Sequence, residues 1–283
     1  MKVGQVIKIH SGIYSVLCSG EIVRCSARGS LKIKSDGIIT GDFVQIDEGA
    51  RTVDKVLERK NSFIRPSVAN VDAVNVVVAS PPRPDFIMLD KLLLTLSSKD
   101  VEIIITVNKS DLSECVYDEV LANYSDAGYK IFLVSAETSE GLDDLKRELK
   151  GKLVAFAGQS AVGKSSLVNA LFGLKLKTND VSDKTQRGRH TTTVSEIHEC
   201  GEYRVADTPG FSVLKPDIRP EEVALYYPEY YRRLPQCKFR LCTHSGEPDC
   251  KVIEDVNAGV LSKERYSRYV QILDEIKKEN SKY

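Results

Sequence analysis

The sequence predicts a multidomain α/β chain with three parts in tandem: a small OB-type β-barrel over residues 1–62, a mostly parallel sheet with flanking helices over 63–214, and an α-helical tail over 215–283. Three observations carry this. In the first part, short alternating runs such as Gln5-Val6-Ile7-Lys8-Ile9 and Ile13-Tyr14-Ser15-Val16-Leu17 are punctuated by Gly4, Gly12, Gly20, Gly29, Gly37 and Gly49, the spacing of a closed all-β unit. From Val71 the pattern changes to β-branched runs alternating with helical spacing, the signature of a parallel sheet. Past residue 215 the strand pattern ends, and Tyr266, Tyr269, Val270, Leu273 and Ile276 recur with helical period over 263–278.

Composition narrows the setting. Of 283 residues 42% are hydrophobic and 28% charged, ordinary for a globular protein. Net charge is zero but unevenly spread: 10 Lys/Arg against 7 Asp/Glu in 1–62, 17 against 21 in 63–214, and 13 against 12 in 215–283. Mildly basic flanks suit nucleic-acid contacts, although an excess of this size is weak evidence. No run of about 18 apolar residues exists, and the first residues lack the apolar core of a signal peptide. Seven cysteines, four of them scattered (Cys18, Cys25, Cys115, Cys200), argue for a reducing compartment. The expectation is a cytoplasmic monomer.

In the barrel, a third β-run is Glu21-Ile22-Val23-Arg24-Cys25, and Arg28, Lys32 and Lys34 fall in a loop. Barrels of this type bind single-stranded nucleic acid on a face and its loops; bracing of the neighbouring domain is the alternative. In the second part, strands are expected over 71–79, 101–107, 130–134 and 152–157. Helices are expected around Phe86, Leu89, Leu92, Leu93 and Leu96, and over 114–127 and 141–150.

The apolar run ending at Ala157 leads into Gly158-Gln159-Ser160-Ala161-Val162-Gly163-Lys164-Ser165, and Ser166 continues into a helical pattern. Strand, G-x-x-x-x-G-K-S, helix is a phosphate-binding loop. Glycines let successive N–H groups point at phosphate oxygens, and the helix N-terminus adds partial positive charge. Lys164 reaches the terminal phosphates, Ser165 ligates Mg²⁺, and Ser166 joins the nucleotide contacts.

Two motifs sit where strands end, the ligand edge of an open α/β sheet. In Asn108-Lys109-Ser110-Asp111, a carboxylate at Asp111 accepts from N1–H and the 2-amino group of guanine, donors that adenine lacks. Asn108 and Lys109 shape the base pocket. The backbone of Ser135-Ala136 reaches the guanine O6. Beyond the loop helix, 178–194 is polar, rich in hydroxyls and cations, and ends in Gly188-Arg189-His190-Thr191-Thr192-Thr193. Thr192, with Thr193 the next choice, completes the Mg²⁺ shell when the γ-phosphate is present. Asp207-Thr208-Pro209-Gly210 follows a strand: Asp207 holds Mg²⁺ through water and the Gly210 N–H meets the γ-phosphate.

The tail holds Cys237-x₄-Cys242-x-His244-x₅-Cys250. Three thiols and an imidazole at this spacing fit one tetrahedral, structural Zn²⁺. Arg232, Arg233, Lys238 and Arg240 crowd the site. They suit contacts with a phosphate backbone, and they also offset the charge of a metal thiolate. The helix over 263–278 is read as packing on the metal module.

The five nucleotide elements resemble those of Ras-like GTPases, but in another order. N-K-S-D and S-A precede the phosphate loop, so the domain is a circularly permuted P-loop GTPase. The permutation, G-R-H-T-T-T and the Cys/His tail together resemble the RsgA (YjeQ/YloQ) family over the whole chain. That resemblance implies a GTPase assisting late maturation of the small (30S) ribosomal subunit through its rRNA, with slow intrinsic hydrolysis stimulated by the subunit. A switch module whose partner is a protein, with incidental hydrolysis, is the alternative. Phe211 stands where Ras-like enzymes place a water-orienting Gln. His190 is the nearest substitute, a solvated switch histidine being the other reading. Because 207–210 leads almost directly into the tail, a γ-phosphate-dependent movement there would pull on the tail.

Overall fold

The computed structural model describes residues 1–29, 37–112, 116–176, 195–211 and 218–281, without the side chains of 209–211. Five strands close the first part: β1 (Lys2–His10), β2 (Ile13–Cys18), β3 (Glu21–Ala27), β4 (Phe43–Asp47) and β5 (Thr52–Val56). Their cyclic order is β1-β2-β3-β5-β4, with β3 and β5 parallel and β4 returning to β1. Two-residue turns at Ser11-Gly12 and Ser19-Gly20 have positive φ at both positions, which matches the twist of a tight hairpin. Val6, Val16, Val44, Ile46 and Val53 fill the interior, all fully buried.

A short hairpin, β6 (Ser62–Phe63) and β7 (Val68–Ala69), leads into the second part. There β8 (Ala73–Ala79), α1 (Phe86–Ser97), β9 (Glu102–Asn108), α2 (Tyr117–Tyr124), β10 (Lys130–Leu133), α3 (Leu142–Leu149), β11 (Leu153–Ala157) and α4 (Lys164–Phe172) alternate. The ladder β12 (Glu196–Cys200) and β13 (Tyr203–Phe211) follows. The order is β10-β9-β8-β11-β13-β12, parallel except for β12. All of β8 and β11 is buried, hence their nearly continuous apolar sequences, broken only by Asn75, which accepts from the buried Thr106 hydroxyl. Helix α3 stands on Leu142, Leu145 and Leu149, with Asp143 and Asp144 at its start and Lys146 and Arg147 at its end, matching the helix dipole.

The sheet does not stop at β12. β1 pairs with it, Lys8 opposite Glu196, so barrel and α/β part share one eleven-stranded sheet. The Lys8 ammonium meets the Glu196 carboxylate at 2.6 Å, and the buried Thr40 hydroxyl donates to the Ser195 carbonyl at 2.9 Å.

The tail contains α5 (Pro228–Tyr231), α6 (Lys251–Asn257) and α7 (Lys263–Asn280). Its core stacks Tyr227 on Tyr230, with Tyr269 edge-on to both at 4.9 Å, and takes in Leu94 from α1. The expected helix over 263–278 is present and extends to Asn280. It packs on more than the metal module, because its Arg265 is buried. Arg265 bonds Asp90 of α1 and Glu229 of α5, each at 2.5 Å, and lies against the rings of Tyr124 and Tyr227. Arg268 takes the second Asp90 oxygen at 2.5 Å, and Tyr124 donates to the first. Surface pairs such as Lys2–Glu48 are screened by solvent and contribute little. This buried network is far costlier to break.

Candidate nucleotide and metal sites

The turn between β11 and α4 has the geometry its sequence requires. Gly158 has φ 131°, and a Cβ there would lie 2.2 Å from the Val77 carbonyl oxygen. Gly163, φ 87°, caps α4, and a Cβ on it would sit 2.5 Å from the Asn108 side-chain nitrogen. Only glycine fits either position. Lys164 donates to the Gly158 and Gln159 carbonyls at 2.9 and 2.6 Å. Burial lowers its pKa. An anion in the cradle would repay that desolvation, which a pair of carbonyl dipoles compensates only in part. Ser165 is half-buried in the first turn of α4, and Ser160, Ala161 and Ser166 are exposed.

The upstream motifs converge on this loop. Asn108, buried at the end of β9, donates to the Val162 carbonyl at 2.9 Å and accepts from the Ala136 N–H at 3.1 Å. Lys109 donates to the Pro81 and Ala161 carbonyls at 2.6 and 3.0 Å. The two residues expected to shape a base pocket therefore also hold the phosphate loop. Asp111 accepts from the Ser135 hydroxyl, whose oxygen in turn accepts from the Glu137 and Thr138 N–H groups. One oxygen of Asp111 is thereby aimed, a role for the Ser135 side chain that its sequence context did not signal. Ser110 bonds Glu140 at 3.2 Å. An apolar cavity of about 490 Å³ lies beside the loop, between Gly158-Gln159 and Ile87, Met88 and Leu92 of α1. The residues expected to read guanine do not line it.

The γ-phosphate segment differs from expectation in one respect. Asp207 was placed at a strand end, yet β13 continues to Phe211. Ala155 pairs with Ala206 and Ala157 with Phe211, so 207–210 bulges out of the ladder beside the phosphate loop. A bulge re-aims side chains without ending the strand. Asp207 is exposed and lies opposite Glu196, whose charge Lys8 of the barrel answers. His190, Thr192, Thr193, Lys32 and Lys34 lie outside the described residues.

The four metal-type residues of the tail come together. The ligand atoms of Cys237, Cys242, His244 and Cys250 all lie within 4.8 Å of one another. His244 Nδ1 is 3.2 Å from Cys250 Sγ and 3.7 Å from Cys237 Sγ. A tetrahedral ion with bonds of about 2.3 Å to sulfur sets its ligand atoms roughly 3.7 Å apart, so the cluster fits Zn²⁺. Burial pushes the Cys242 thiol up to about 12 and His244 down to about 4. Metal-free, Cys242 thus keeps its proton and His244 is uncharged, and a cation must displace the Cys242 proton to bind. Burial would raise the Glu247 carboxyl, but the Thr243 hydroxyl and the N–H groups of Thr243 and Ser245 hold it down to about 2. This carboxylate braces the turn that carries His244.

Comparison with known proteins finds relatives along the whole chain. Residues 56–216 match the family described as RsgA GTPase, and residues 3–52 the RsgA N-terminal domain. Relatives named small ribosomal subunit biogenesis GTPase RsgA are 40% identical in Geobacillus sp. (strain WCH70), over all of both chains. In Moorella thermoacetica identity is also 40%, over 96% of this chain and 97% of the relative. Among solved structures, YjeQ from Thermotoga maritima aligns with TM-score 0.80 and 34% identity over 97% of this chain and 98% of its own. YloQ, described as a circularly permuted GTPase, aligns with TM-score 0.82 and 32% identity over 99% and 96%.

Proposed function

Since the chain belongs to the RsgA family of GTPases, we propose that it binds the small ribosomal subunit through rRNA and assists its late maturation, turning over GTP slowly until the subunit stimulates it. It is a permuted GTPase of ribosome biogenesis. The observation that supports its nucleotide part is the hold of Asn108 and Lys109 on the loop 158–165, with Asp111 aimed by Ser135 in the same motif. We read the three parts as units at 1–62, 63–214 and 215–283, in a cytoplasmic monomer with one structural Zn²⁺ and Mg²⁺ bound with the nucleotide.

In this reading Lys164 leaves its two carbonyls for the terminal phosphates. The carboxylate of Asp111, held by Ser135, accepts from guanine. The loop N–H groups and the N-terminus of α4 receive phosphate oxygens. Mg²⁺, when present, offsets charge on the phosphates during transfer; Ser165, Asp207 and Thr192 are its proposed ligands. Phe211 supplies no group to orient water, which accounts for slow turnover and leaves His190 as the proposed water-positioning residue. Two further contacts are assigned to Gly210 and Ala136, through their backbone N–H groups.

The test measures GTP hydrolysis with and without purified small subunits, for the unmodified protein and His190→Ala. Stimulation of the first and its loss in the second are expected. Absent stimulation overturns the proposal, and full stimulation of His190→Ala removes that residue's role.

A further inference from the structure

Between two metal ligands, Cys237 and Cys242, the chain runs Lys238-Phe239-Arg240-Leu241. Tyr227, Tyr230 and Tyr269 of the same part are at most 1% exposed, whereas Phe239 is 45% and Leu241 76% exposed. The loop is not left loose. The Cys242 N–H donates to the Phe239 carbonyl at 3.2 Å, and the Lys238 N–H to the Asp249 carbonyl at 3.2 Å. Its ends are fixed by two residues of the metal cluster. An aromatic ring is therefore held out to solvent on a short, pinned turn.

The charges around it have one sign to spare. Residues 232–251 carry five Lys/Arg against Glu247 and Asp249. Glu247 is engaged by Thr243 and Ser245. Arg233 and Lys251 are engaged by Asp255, and Arg232 donates to the Asp126 carbonyl. Lys238 pairs with Asp249 at 2.9 Å, both more than half exposed, a pair that a stronger anion displaces readily. Arg240, next to Phe239, is exposed and has no hydrogen bond or ion pair among the described residues.

We propose that 238–241 is a stacking platform for an unpaired RNA base, with Phe239 against the base face and Arg240 and Lys238 on the flanking phosphates. This rests on rRNA being the partner and specifies the chemistry recognised. A ring between two cations matches a nucleotide between two phosphates. Because a duplex hides its base faces, the platform selects single-stranded segments, loops or bulges. An apolar protein partner would bury Phe239 and Leu241 but leave Arg240 desolvated and unpaired, which is costly.

The chain contains no tryptophan, so Phe239→Trp places a single reporter on the platform. The full-length, metal-loaded variant is titrated with oligoadenylate, and with the same strand annealed to oligouridylate. The expected result is saturable, salt-reversible quenching by the single strand and none by the duplex. With end-labelled oligoadenylate, Phe239→Ala weakens binding about tenfold or more, Phe239→Tyr retains it, and Arg240→Ala lowers the salt slope by about one. Binding of the strand without quenching, equal quenching by the duplex, or quenching only by ribosomal proteins freed of RNA overturns the platform. Should no oligonucleotide bind while small subunits still stimulate GTP hydrolysis, the platform falls and the proposed function stands. Lost stimulation strikes the function itself.

Discussion

The Asn108 side-chain amide donates to the Val162 carbonyl at 2.9 Å, so the end of β9 holds the last turn of the phosphate loop in place. The same side chain receives the Ala136 N–H, and it fills the space that a Cβ on Gly163 would need. Base-side and phosphate-side elements thus share one buried amide.

Asn108→Ala removes two hydrogen bonds, at about 1 kcal/mol each plus the cost of the groups left unpaired. Guanine-nucleotide affinity should fall roughly tenfold to a hundredfold, read by titration with a fluorescent GDP analogue. Gly163→Ala should be as severe. In the double variant the clash disappears while the positive φ remains, so the two losses should add to less than their sum.

Asp111→Ala should erase preference for GTP over ATP, measured as the ratio of the two affinities. Asp111→Asn presents an NH₂ donor where a carboxylate stood, and should shift preference toward xanthosine triphosphate, which carries a carbonyl at C2. Ser135→Ala should weaken guanine binding less, since it only frees the carboxylate.

Arg265→Ala leaves Asp90 and Glu229 charged, buried and short of a partner. A loss of about 3–5 kcal/mol is expected in denaturant unfolding. Arg265→Met should cost less in combination with Asp90→Leu than alone, because removing both signs of charge is cheaper than removing one.

For Glu247 the folded pKa, about 2, lies below the ordinary 4.5. Its contribution is therefore full above pH 4.5 and is lost as pH falls toward 2. Glu247→Gln should be less stable than the unmodified protein at neutral pH, and the gap should close in that acid window, as followed by tyrosine circular dichroism.

One zinc per chain is expected on denaturing release into a colorimetric chelator, and less in Cys250→Ser. Chelation of the native protein should loosen 237–250 in hydrogen exchange, leaving the barrel unchanged.

What could be read in advance had short-range spacing. The loop 158–165, Asn108 to Asp111, and Cys237 to Cys250 each place several chemically special residues within a few positions, and each came together as spaced. The Asp90–Arg265 pair is 175 residues apart and built from common residue types, so no local pattern marks it. Arg265 sits among charged neighbours on a helix, and only the fold shows that it faces inward. The bulge at 207–210 was hidden for a different reason. Pairing of Phe211 with Ala157 depends on a neighbouring strand, whereas Pro209 and Gly210 read locally as a stop. The join between β1 and β12 likewise depends on edge strands meeting, which hydrophobic alternation does not encode.

Because Asp90 belongs to α1 but its cations, Arg265 and Arg268, come from α7, the nucleotide-binding part leans on the tail. A chain ended at residue 214 would keep every nucleotide motif yet strand a carboxylate in its interior and bare Leu94. Residues 63–214 therefore need Arg265 and Arg268 of α7 in place, and the divide near 215 separates two units that fold against each other.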